Sequence, residues 1–302
     1  MDQADMLLRL LRTLAERDYR FTTVTPATHA RVLARPGPET PTLADVFGWN
    51  RPFRVNQLAE EVFDLLRGAD ALEENGDELR SAVRVASLGG DLFLHSSFPT
   101  EAEDAVFFGP DTYRFAAFVA RHLPRSAANV IDMGAGSGAG GIAAARRAPS
   151  ASITLVDRNK AALELAEINA AAAGVTVALQ EGQDIPRGAD LVLANPPYMI
   201  DRHRRSYRDG GALLGGEVSR TWAAQAAERL APGGTLLLYT GAAYIDGHSP
   251  LLAALEEIAR EAGATLAIDE LDPDVFGEEL DQPGYEAVER IAAVGAVLRV
   301  RA

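Results

Sequence analysis

From about residue 105 onward, apolar runs of strand length alternate with stretches of helical periodicity. This alternation admits few folds. Strands buried on both faces need helices to cover them, and a parallel neighbour is reached only through a crossover. The spacing predicts seven strands, at 129–133, 152–157, 175–180, 190–194, 235–239, 265–268 and 293–300, and helices over 141–148, 160–173, 217–230 and 250–262. The helix ends carry the expected punctuation. Pro149 stops the first, Gly174 closes the second, and Ser249 is placed as the N-cap of the fourth.

The first third follows a different pattern. Helical spacing is predicted over 6–14, 26–34, 42–47 and 56–66, with a break at Arg35-Pro36-Gly37-Pro38. Segments 79–86 and 92–95, separated by Gly89-Gly90, are predicted to form a β-hairpin. Two domains are expected: 1–104, smaller and mainly helical with a hairpin, and 105–302, α/β. The first is either a winged-helix arrangement or a helical cap.

Three motifs lie at predicted strand ends. In Val130-Ile131-Asp132-Met133-Gly134-Ala135-Gly136-Ser137-Gly138-Ala139, glycines between a strand and a helix let the backbone approach a ligand closely. Gly134, Gly136 and Ala139 also satisfy the looser dinucleotide pattern. Asp157, followed by Arg158, ends the second strand, where a carboxylate can accept both ribose hydroxyls of a nucleoside cofactor. After the third strand, Gln183 or Asp184 is placed to receive an adenine amino group; the alternative is plain solvated surface. Finally, Asn195-Pro196-Pro197-Tyr198 follows the fourth strand on the ligand-binding side of an open sheet, with two prolines fixing its backbone.

With these three motifs in series, residues 105–302 resemble the class I S-adenosylmethionine (SAM)-dependent methyltransferases that carry Asn-Pro-Pro-Tyr. The nearest likeness is to the release-factor and ribosomal-protein glutamine methyltransferases. The resemblance implies a Rossmann-like seven-stranded sheet with its last strand antiparallel, SAM as cofactor, and methyl transfer to a planar nitrogen. It implies cofactor contacts by Asp132 near the methionine end, Gly134, Ala135, Gly136, Gly138, Asp157, Arg158, Gln183, Asp184 and Asn195. It also implies catalysis by Asn195, Pro196, Pro197 and Tyr198. Asn195 and the Pro196 carbonyl would accept the two N–H groups of the nitrogen, and Tyr198 would stack on the planar group. The chain departs from that subfamily ahead of the glycine loop. Phe107-Phe108-Gly109-Pro110-Asp111-Thr112-Tyr113 stands where a Pro-Arg-Pro-Glu-Thr type segment is usual, which bears on the substrate and not on the reaction.

Charge then separates the substrates. The net charge of −14 disfavours a general nucleic-acid binder. However, four arginines lie within 201–208, so Arg202 and Arg205, with Tyr113, are candidate substrate contacts. The preferred acceptor is a glutamine in a translation protein, a release factor or ribosomal protein. The alternatives are an adenine or guanine amine in RNA or DNA, which a duplex would have to flip out, and a SAM-binding interaction module without turnover. A NAD-dependent dehydrogenase is the weakest, since nothing supplies a hydride-transfer acid. There is no cysteine, and His95, His203 and His248 show no ligand spacing, so no metal is expected. No apolar run approaches a membrane span, and the acidic start lacks the pattern of an export signal, so a cytoplasmic protein is expected. Trp49 and Trp222 are read as packing residues, and 272–279 as an acidic loop over one edge.

Overall fold

The computed structural model describes residues 2–302 except 101, 125, 203, 204 and 206, so the expectation at His203 lies outside the described residues. Helix α1 (Gln3–Glu16) is capped by Asp2, whose side chain accepts from the Asp5 amide at 2.8 Å. Helix α2 (Pro26–Leu33) is capped by Thr25 with proline in its first turn. A single π-turn at Ala44–Gly48 takes the place of the third expected helix. The fourth begins as a 3-10 turn, Val55–Gln57, before α3 (Glu60–Gly68).

The segment expected as one strand over 79–86 is divided. Strands β1 (Leu72–Asn75) and β2 (Glu78–Ser81) form one hairpin, and β3 (Val83–Leu88) and β4 (Asp91–Ser96) form another. Between them the Ser81 hydroxyl donates to the Val83 carbonyl at 2.6 Å and receives its amide at 3.3 Å. This local side-chain bonding competes with the ladder and lets the chain change partners.

A seven-stranded sheet follows, made of β5 (Asn129–Met133), β6 (Ser152–Asp157), β7 (Ala178–Glu181), β8 (Leu191–Ala194), β9 (Thr235–Tyr244), β10 (Thr265–Asp272) and β11 (Arg290–Arg299). The spatial order is β10-β11-β9-β8-β5-β6-β7, with β11 antiparallel to both neighbours. Helices α4 (Pro110–His122), α5 (Ala139–Arg147) and α6 (Lys160–Ala172) cover one face, and α7 (Glu217–Arg229) and α8 (Pro250–Glu261) the other. Strand residues alternate between the layers: Leu191, Leu193, Leu237 and Tyr239 face the first group, Val192, Ala194, Leu236 and Leu238 the second. Helix α4 is not among the helices expected from the sequence. Strand β7 starts three residues late because the Val175 amide closes the preceding helix, donating to the Ala170 carbonyl at 2.8 Å. Strand β9 runs five residues further than expected because all ten of its residues pair with β11.

The N-terminal segment packs against the sheet half. Its core, including Leu10, Leu14, Phe47, Leu66 and Leu94, takes in Ile168 of α6. Asn169, fully buried, receives the Leu94 amide at 2.8 Å and donates to the Leu94 carbonyl at 3.1 Å. The same amide nitrogen donates to the Ser137 carbonyl at 3.0 Å, joining hairpin, helix and glycine loop at one side chain.

Candidate active site

The strand register brings the motifs into line. Met133 pairs with Val156 on one side and Ala194 on the other, so Gly134, Asp157 and Asn195 emerge side by side. The chain runs from β5 outward to β6 and β7, then returns to β8 on the other flank of β5. The crevice at that reversal is where open α/β sheets bind ligands. A cavity of about 770 Å³ occupies it.

The glycine loop is held from behind. The amides of Gly134 and Ala135 donate to the Val156 carbonyl at 2.8 and 3.1 Å, and the Gly136 amide donates to Asp157 Oδ2 at 2.9 Å. Asp157 Oδ1 receives the Asn159 amide at 2.8 Å, so its carboxylate is fixed before any ligand arrives. Glycine is required at 134, where φ is +69° and a Cβ would stand 2.6 Å from the Trp222 ring. Asp132, 2% exposed, receives the Gly141 amide at 2.7 Å. Burial pushes its carboxyl up to about 7 against the pull of that amide.

At the end of β8, Asn195 is half-buried, and its side-chain amide makes no hydrogen bond to any described residue. The following backbone is stitched down: Met199 N donates to the Arg208 carbonyl at 3.1 Å, and Gly210 N to the Met199 carbonyl at 2.8 Å. Tyr198 is 8% exposed, and its ring lies so close to β9 that a Cβ on Gly241 would approach it to 2.4 Å. Nearby, Asp111 accepts from the Tyr239 hydroxyl at 2.6 Å and from Arg114 Nη1 at 3.4 Å. Burial pushes the Asp111 carboxyl up, opposed by the neighbouring Tyr239, Tyr198 and Arg114.

Of the residues singled out from the sequence, Asp132, Gly134, Ala135, Gly136, Asp157, Arg158, Gln183, Asp184, Asn195, Pro196, Pro197, Tyr198 and Arg205 line this cavity. Gly138, Tyr113 and Arg202 do not. Gly138, at φ +78°, turns the chain into α5. Tyr113 instead receives the Thr23 amide at 2.9 Å. Gln183 is exposed, and one Asp184 oxygen accepts from Gln225 at 2.6 Å. Arg205 is engaged by Asp201, at 2.9 Å from Nε and 2.6 Å from Nη2, and Arg208 is paired with Glu279. The acidic stretch expected at one edge therefore reaches the cavity, with Phe276, Glu278 and Glu279 in its lining. Sequence reasoning missed Asp111, Thr23, Arg84 and Phe276. Only Asp111 had a local signal, an acid in the first turn after Gly109-Pro110. Among the described residues no group of three His, Cys, Asp or Glu converges as a metal site, and no helix is long and apolar enough to cross a membrane.

A family model described as methyltransferase small domain matches residues 102–259. The release factor glutamine methyltransferase of Deinococcus radiodurans is 31% identical over 264 residues, covering 81% of this chain and 90% of that protein. That of Geobacter sulfurreducens is 35% identical over 136 residues, covering 40% of this chain and about half, 48%, of its own length. Among solved structures, Trm5b from Pyrococcus abyssi superposes with a TM-score of 0.52 at 16% identity, covering 82% of this chain and 68% of that one. TYW2 of P. horikoshii, in complex with MeSAdo, gives 0.51 at 15% identity, covering 92% and 99%. These two likenesses show the fold.

Proposed function

The chain belongs to the methyltransferase small-domain family and is a SAM-dependent methyltransferase; from that premise we propose that it methylates the side-chain amide of a glutamine in a translation release factor, in the cytoplasm. The observation that carries this reading is the half-buried, unpartnered Asn195 amide at the reversal point, beside a glycine loop and an acid already fixed in place. The extended similarity to a release factor glutamine methyltransferase supports the acceptor.

The residues present fit the cofactor. Asp157 has the place and the immobilised carboxylate for the ribose hydroxyls, and the open glycine loop admits close approach of the sugar. Asp132 would answer the ammonium group, while Arg158, Gln183 and Asp184, the last held by Gln225 and Arg229, border the adenine side. When bound, the cofactor supplies an electrophilic methyl group.

An amide nitrogen is a poor nucleophile because its lone pair is delocalised. Asn195 Oδ1 and the Pro196 carbonyl would each accept one N–H, fixing the nitrogen and favouring the pyramidal geometry of the transition state. Tyr198, buried against Gly241 and the Tyr239 ring, would present a rigid surface to the planar amide. No strong base is required, since the nitrogen becomes acidic once alkylated. Transfer to a nucleic acid is disfavoured by the loop after the motif, where Arg205 and Arg208 already have carboxylate partners.

The test is to incubate the protein with methyl-labelled SAM and a purified release factor, then digest with protease or nuclease before counting. Label on a glutamine that disappears with Asn195→Ala is expected. Label on nucleic acid in a cell extract, with none on the release factor, would overturn the proposed acceptor.

A further inference from the structure

The cavity extends past the methyl-transfer motif to the N-terminal segment, where Thr23, His29, Arg84 and Phe98 complete its lining. Arg84 is 4% exposed and has no carboxylate partner among the described residues. Its Nε donates to the Gly48 carbonyl at 3.0 Å, and its Nη2 lies 3.5 Å from His29 Nδ1. Among the described residues, the groups packed around the guanidinium leave its charge unanswered. His29 Nε2 faces the Trp49 carbonyl at 2.9 Å, which makes that nitrogen the protonated one and leaves the ring neutral. His29, held down to about 4 by burial and by Arg84, and His95, also held low, add no charge. Burial pushes the Tyr19 phenol up, so it too adds no charge, and the Tyr113 hydroxyl receives the Thr23 amide. The buried Thr23 hydroxyl has no hydrogen-bond partner among the described residues. An unpaired buried cation and an orphaned hydroxyl are each costly to folding unless something meets them.

We propose that Arg84 and Thr23 form a binding site for a carboxylate, held by the guanidinium and the hydroxyl at the N-terminal side of the cavity. One guanidinium balances one negative charge, which suits a carboxylate better than a phosphate dianion. Two sources lie within the chemistry of this enzyme: the amino-acid carboxylate of the cofactor, or an acidic group of the methyl acceptor. The proposal rests on the methyl-transfer reading only in naming those two sources.

The sources separate by calorimetry with S-adenosylhomocysteine and with methylthioadenosine, which lacks the amino acid, together with the acceptor KM. With Arg84→Gln, a cofactor source weakens S-adenosylhomocysteine about tenfold or more and leaves methylthioadenosine unchanged. An acceptor source leaves both nucleosides unchanged and raises the acceptor KM by a similar factor, with kcat retained. Thr23→Val removes an unpartnered polar atom, so it keeps or raises the melting temperature while weakening the same ligand. Arg84→Lys restores part of the loss. Unchanged constants throughout, or equal weakening of both nucleosides, would overturn the site. The KM is read on whichever macromolecule the wild-type protein labels, so a wrong acceptor shows as unlabelled release factor and not as an unchanged constant.

Discussion

Two parts of one cavity lining treat positive charge in opposite ways. In the loop after Tyr198, Arg205 is held by both oxygens of Asp201, and Arg208 by Glu279. In the N-terminal part, Arg84 is more deeply buried and, among the described residues, its guanidinium meets only a carbonyl and a neutral imidazole. A run of arginines in sequence therefore says little about where a charge is available. The loop arginines, conspicuous as a cluster, are occupied in building the loop, while the solitary arginine of a hairpin is left open to a ligand.

The largest effect is expected between these two parts, at Asn195. Asn195→Ala is expected to lower turnover by on the order of 10²-fold or more while S-adenosylhomocysteine still binds. Wild-type turnover would mean that neither part borders the reacting atoms. Next comes the loop itself: Asp201→Asn leaves Arg205 without its carboxylate and is expected to cost about 2 kcal/mol in denaturant unfolding. The bond from Arg205 holds the Asp201 carboxyl down at about 2. Its stabilisation is therefore complete above the ordinary carboxylate range and lost as pH falls through that range toward 2. An undiminished stability in the variant would erase the contrast with Arg84. A third expectation concerns Asp132, whose carboxyl sits at about 7. If its ionised form receives the cofactor's ammonium group, S-adenosylhomocysteine affinity should rise about tenfold per pH unit up to 7 and then level off. Asp132→Asn should flatten that profile. The smallest effect is expected from Tyr239→Phe, which removes one of the donors to Asp111 and should cost about 1 kcal/mol of stability. Its activity should fall only a few-fold while the bond from Arg114 remains.

What could be read in the sequence was whatever is encoded beside a strand end. Gly134, Asp157 and Asn195 each follow their own apolar run, and parallel register brings them together without further information. Asp111 reaches Tyr239 across 128 residues of chain, and no local pattern records that meeting. The same holds for Glu279 and Arg208, which is why the acidic stretch reads as an edge loop and the arginines as candidate substrate contacts. Strand ends were misjudged where pairing overrides composition: Gly241, Ala242 and Ala243 are weak strand formers, yet β11 extends along all of them. Tyr113 stands within the stretch from Val106 to Phe115 that borders the cavity but is not itself in the lining, and its hydroxyl receives the amide of Thr23, which is.

The side chain of Asn169 has a mechanical consequence. Its three bonds tie the edge of a hairpin near residue 94 to the turn at Ser137 through one planar amide, so a displacement of the hairpin pulls on the loop at the head of the cofactor site. Aspartate has the same shape but no N–H, and would leave the Leu94 and Ser137 carbonyls unmet in a fully buried place. The linkage is thus a transmission with a single pin, and that pin tolerates no change in its pattern of donor and acceptor.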